Sequence, residues 1–218
     1  MGRLSEYAIG ITELRDIFRA EPGFAAQLRE LAARRFPAPA NESTKRTRLL
    51  GRIGPAMKKS IERPEVPERP APPDVEALLK ARAIAPERQV YAWQIILAWL
   101  DELSWGCIDV EVDGRDMSDL DFALAAAGLP SQFGLEKLLQ DEPQIPLRPM
   151  PGQRWGYAKH AHLLATRQAL DEIAPNLDDK TAASVKPFRD FLAGFDDWTQ
   201  QAAEQARPAP DLVVSWMP

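Results

Sequence analysis

Cys107, His160 and His162 are the chain's whole stock of thiol and imidazole, so soft-metal or near-neutral proton chemistry has to run through them. The two histidines stand two positions apart. On a helix that spacing turns the rings about 200° from each other, whereas a helical zinc pair needs i, i+4 spacing. In an extended segment they would share a face, and His160 or His162 could serve as a general base within about 3 Å of its target proton. No further Cys, His or acidic ligand stands near them in sequence, and packing or capping is the favoured reading of both. Cys107, close to Trp105, reads as a small buried hydrophobe. A nucleophilic role would need a histidine partner.

Asp109, Glu111 and Asp113 occupy alternate positions, with Asp116 just beyond. Such a row offers hard oxygen ligands to Mg²⁺ or Ca²⁺. A half-buried strand needs a polar outer face for a simpler reason, and no second acidic segment matches the row. The glycines of Gly51-Arg52-Ile53-Gly54-Pro55 lack the spacing of a phosphate loop, and the dinucleotide pattern is absent. Neither a metal nor a cofactor is expected.

Two stretches suit binding instead. In residues 45–63, Lys45, Arg46, Arg48, Arg52, Lys58, Lys59 and Arg63 stand against Glu62 alone. Arg48, Arg52, Lys58 and Lys59 are candidate contacts for an anionic partner. No aromatic residue is interleaved to stack on bases, so the competing reading is a solvated loop. Arg154, Trp155 and Tyr157 lie between Gly152 and the helix that follows. These residue types dominate binding hot spots, and an exposed loop would present them. Alternatively, the two rings fold back to plug the edge of the core.

The net charge of −5 gives the whole surface no attraction to nucleic acid or anionic membrane. It would suit docking onto a basic partner. A single cysteine excludes an internal disulfide and fits a reducing compartment. The N-terminus lacks a signal-peptide core, and the most apolar run, residues 91–100, falls short of the roughly 20 residues of a span. A cytoplasmic protein is expected.

The elements that must position these residues follow from periodicity. Residues 7–11 read as a strand, with Thr12 capping a helix that buries Leu14, Ile17 and Phe18. A second helix covers 22–35, opened by Pro22. Residues 37–73 form a proline-rich basic loop or linker. Asp74 caps the next helix, and 86–103 follows as a helix apolar on most sides, the spine of the fold. Residues 107–112 alternate as a half-buried strand. Ser118 caps a helix ended by Gly128 and Pro130, and 131–140 is a further helix weakened by Gly134. Residues 158–173 and 178–207 are helical, with a kink or fresh start at Pro187. Residues 211–217 close the chain as a strand. The sum is one mostly helical α+β domain over 1–218, with a small sheet made from the short terminal strands and one central strand.

The strand leading into Thr12-Glu13-Leu14-Arg15, the Trp155-Gly156-Tyr157 lead into a late helix, and the closing strand through Trp216 together resemble the YfbM-like bacterial domains of unknown function. The resemblance implies a bacterial α+β domain, some of whose relatives stand near polymorphic-toxin loci, and it carries over no catalytic residue. The functional expectation is a non-enzymatic protein-binding domain, in particular an immunity protein neutralising a toxin. A hydrolase-like enzyme using His160 or His162 in a cleft near Trp155 is the first alternative. A nucleic-acid binder acting through residues 45–63 is the second.

Overall fold

The computed structural model describes residues 2–37, 68–112 and 114–218. Arg48, Arg52, Lys58, Lys59, the glycine pair at 51–54 and Asp113 lie outside the described residues.

The apolar chain ends pair with each other. Strand β1 (Arg3–Ile9) runs antiparallel to β4 (Asp211–Met217), from Arg3 opposite Met217 to Ile9 opposite Asp211. Strand β2 (Cys107–Glu111) flanks β1, and β3 (Arg154–Ala158) flanks β4, in the order β2-β1-β4-β3. The expected three strands are joined by β3, formed by the segment read as an exposed loop. Period-two alternation sends Leu4, Glu6 and Ala8 to one face and Ser5, Tyr7 and Ile9 to the other.

Against the second face pack α1 (Ile11–Asp16), α2 (Pro22–Arg35), α3 (Pro72–Leu79) and α4 (Gln89–Leu103). Helix α4 is the expected spine, and Trp93, Ile96, Trp99 and Leu100 on it are buried. Val90 is 41% exposed because it stands in the first turn of the helix, beyond the core. The Trp99 indole N–H donates to the Leu28 carbonyl at 2.9 Å, tying α4 to α2. Against the first face pack α5 (Gly114–Ala126), α6 (His160–Ile173), α7 (Asp179–Ala193) and α8 (Phe195–Glu204). Phe191, Phe195 and Trp198 form an aromatic cluster there, with centroids 5.2–5.7 Å apart.

Helix ends depart from the sequence reading for identifiable reasons. Thr12 lies inside α1. The free amides of that helix are met by Glu13, which accepts from the Gly10 N–H at 3.1 Å, and by Asp211 of β4, which accepts from the Ile11 N–H at 3.0 Å. Asp74 sits in the first turn of α3 and accepts from the Ala71 N–H at 2.9 Å. Ser118 lies inside α5, its hydroxyl donating toward the Gly114 carbonyl and the Glu136 carboxylate. Asp121 serves the next element, accepting from the Leu135 and Glu136 N–H groups. Residues 131–140 make two short 3₁₀ turns, Ser131–Phe133 and Leu135–Leu139, divided at Gly134. Helix α7 runs through Pro187, and the fresh start falls at Gly194.

Candidate functional site

The residues with chemical potential do not converge. His160 opens α6: its backbone N–H donates to Asp211 Oδ1 at 2.9 Å, and its Nδ1 lies 3.0 Å from the Pro210 carbonyl. The ring stands 6.4 Å from that of Phe195. The His162 ring lies 5.3 Å from Phe133. Both imidazoles thus serve capping and packing contacts. Cys107 is exposed on edge strand β2 rather than buried. Partial desolvation, then the neighbouring carboxylates of Asp101 and Asp109, push its thiol up from the ordinary value, which disfavours the thiolate a nucleophile needs.

Asp109 is held by Arg3, whose Nε donates at 2.9 Å, and by the Ser5 hydroxyl. The Arg3 hydrogen bond holds its carboxyl below the ordinary value. Among the described residues no group of three or more His, Cys, Asp or Glu side chains is arranged to hold a metal ion. Glu111 and Asp116 instead border a cleft of about 570 Å³ between β2, α5 and α7.

Of the hot-spot triplet, Trp155 is buried, Tyr157 half-buried, and Arg154 lies 3.9 Å from the Glu136 carboxylate. Of the two sequence readings, the plugging of the core edge holds for Trp155. Its ring meets Trp93 edge-on at 4.8 Å. Gly156 between the two aromatics is required by packing: a Cβ there would overlap the Leu138 carbonyl oxygen and stand 2.6 Å from Leu139 Cα. Tyr157 is flanked by cations, Lys159 at 5.5 Å and Arg15 at 5.8 Å from its ring centroid.

Trp155 nevertheless borders a cleft of about 730 Å³, the size range of ligand sites. One wall runs from Ala81 to Gln89, linking α3 to α4, and the other is the proline-rich segment 142–149. That segment is clamped at both ends. Arg15 Nε donates to the Pro143 carbonyl at 2.9 Å, and the Trp93 indole donates to the Arg148 carbonyl at 2.8 Å, with Gln89 donating to Arg148 and Pro149. Each wall contains a non-glycine residue in the left-handed region, Ala81 at φ 48° and Gln144 at φ 55°. Such strain costs of order 1 kcal/mol per residue and persists where the surroundings enforce it. Arg82 and Arg148 line the cleft, are exposed, and have no ion pair or side-chain hydrogen bond among the described residues. The Trp155 indole N–H is buried without an acceptor among the described residues. Neither histidine lines this cleft.

Glu6 is the other feature that sequence reasoning missed. It is fully buried on central strand β1, and neither carboxyl oxygen has a hydrogen-bond partner among the described residues. Burial pushes its pKa from 4.5 to about 8, which favours the neutral acid in the folded chain. The signal was present: Glu6 interrupts an otherwise apolar row between Leu4 and Ala8.

A sheet covered on both faces by helices, with a strained and clamped cleft at its β3 edge, defines an α+β domain with a well-formed concave surface. Over residues 1–216 the chain matches the family described as Domain of unknown function (DUF7691), and it belongs to that family. The match carries no link to the YfbM-like domains. No curated protein and no solved structure matches the chain. Among the described residues no helix is long and apolar enough to cross a membrane.

Proposed function

We propose that this is a protein-binding domain whose recognition surface is the cleft between residues 81–89 and 142–149. The observation that carries the reading is the clamped 142–149 wall. Its two ends are fixed from two helices, by Arg15 of α1 and by Gln89 and Trp93 of α4, so the cleft's shape is set before a partner arrives. Preorganisation of that kind lowers the ordering cost of association. The exposed guanidinium groups and the indole at its border are hot-spot chemistry. Trp155 acts here as floor and support. Arg154 and Tyr157 flank this edge of the sheet, and Arg48, Arg52, Lys58 and Lys59 are proposed as auxiliary contacts.

The particular form of this proposal is a bacterial cytoplasmic immunity protein that neutralises a toxin. The test is affinity capture from the native host with the full chain and with Ile84→Asp, which puts a charge into the cleft wall. Purified captured protein is then re-bound and assayed for toxicity with and without the chain. A partner held by the wild type and lost by Ile84→Asp is expected. A partner held equally by both would place recognition elsewhere on the surface. A partner with no toxicity would end the immunity form alone.

A further inference from the structure

The cleft has the opposite polarity to the chain that carries it. The sequence bears a net charge of −5, yet the cleft lining holds Arg82 and Arg148 against Glu142 alone. Neither arginine is engaged within the described residues. An unpaired guanidinium offers five donors in a planar fork suited to a carboxylate. Beside them lie Ile84, Ile145, Leu147 and Trp155, an apolar strip. Cationic rim and apolar lining together describe the complement of a segment with acidic and apolar side chains side by side.

We infer that the cleft receives an acidic segment of the partner protein, with a carboxylate held by Arg82 and Arg148 and an apolar side chain laid against the half-buried Ile84 and Ile145. This rests on the protein-binding reading above and adds the chemistry of the occupant. Glu142 opposes that occupant and limits its affinity. The net charge of the chain keeps non-specific polyanions away from the rest of the surface, so selectivity for an acidic segment comes from the cleft's shape.

The experiment is selection of displayed random decapeptides on the full chain, followed by fluorescence anisotropy with synthetic versions of the winners. Peptides carrying Asp or Glu next to an apolar residue are expected. Replacing their carboxylates by amides should weaken binding at least about tenfold, the range for a charged hydrogen bond. Arg82→Glu with Arg148→Glu should abolish binding of these peptides and select Lys- or Arg-bearing ones instead. Glu142→Gln should tighten the acidic peptides. Both arginines are exposed and unpartnered among the described residues, so the reversed variant should unfold at the wild-type temperature, which a thermal melt checks.

Winners without acidic enrichment, or indifference of acidic peptides to the double reversal, overturn the inference. Equal binding of free citrate or glutamate also overturns it, because the site would then belong to a small carboxylate. Winners that are neutral but lost in Ile84→Asp leave the cleft as the binding surface and remove only the acidic occupant. Failure to select any peptide counts against this inference, while the capture experiment decides the broader reading by itself.

Discussion

Replacing Glu6 by glutamine isolates the cost of one buried acid. Glu6 lies between Ile108 and Val214 across the sheet, with no exposure and no partner for either oxygen among the described residues. Its pKa rises from 4.5 to about 8 on folding, because burial penalises the charged form. Between those values the unfolded chain has released the proton and the folded chain still holds it. The folded state binds more protons, so stability falls as pH rises. The contribution is whole below about 4.5, is lost progressively up to about 8, and is constant above. At about 1.4 kcal/mol per pKa unit, the loss is about 3 kcal/mol at pH 7 and about 5 kcal/mol once Glu6 ionises.

The amide of a glutamine side chain has no proton to lose in this range. Urea unfolding of wild type and Glu6→Gln from pH 5 to 8.5 should therefore give a gap that widens with pH by several kcal/mol, on top of a constant offset from the unpaired amide. Glu6→Leu should be more stable than both at pH 8, since it removes the unpaired polar group altogether. Parallel stability curves for wild type and Glu6→Gln across that range would refute the reasoning, as would a Glu6 carboxyl carbon shift titrating near 4.5 by NMR.

Gly156→Ala should cost about 3 kcal/mol, because neither the Leu138 carbonyl nor Leu139 Cα can move without shifting the backbone that covers β3; a fall in urea midpoint at constant m-value checks this. Asp74→Ala removes the acceptor of the Arg88 Nε hydrogen bond at 2.9 Å and of the Ala71 N–H. It leaves a mostly buried guanidinium without its carboxylate, for a loss of about 3 kcal/mol, read by thermal unfolding. Trp93→Phe keeps an aromatic ring but deletes the donor to the Arg148 carbonyl. It should cost about 1 kcal/mol or somewhat more and raise hydrogen exchange in 145–150 above the rest of the chain.

Periodicity made several elements legible before any coordinates. Pro22 at the first helical position and the helical spacing over 22–35 gave α2 as observed, and the density of Trp, Ile and Leu from 93 to 100 made α4 central. The alternation of Ile108 and Val110 with acids marked β2. Local signals of this kind depend on neighbours in sequence, which is why they survive without tertiary information. Strand β3 was missed because Arg154 to Ala158 is short and follows prolines and a glycine. It extends because β4 supplies its hydrogen bonds. Trp155 shows the limit for the site: residue type marked it as notable, and only the edge-on contact with Trp93 made it buried.

By itself the sequence determined the class of the fold, the pairing of apolar ends and the absence of any spacing suited to a known catalytic motif. These are matters of pattern, set by periods of 2 and 3.6 residues. The tertiary structure alone decided that Asp211 would cap two helices from β4, that Glu6 would be sealed in the core, and that Arg82 and Arg148 would border one cleft. Each of those outcomes joins residues dozens to hundreds of positions apart, and their free energies depend on burial and distance, which a linear order does not contain.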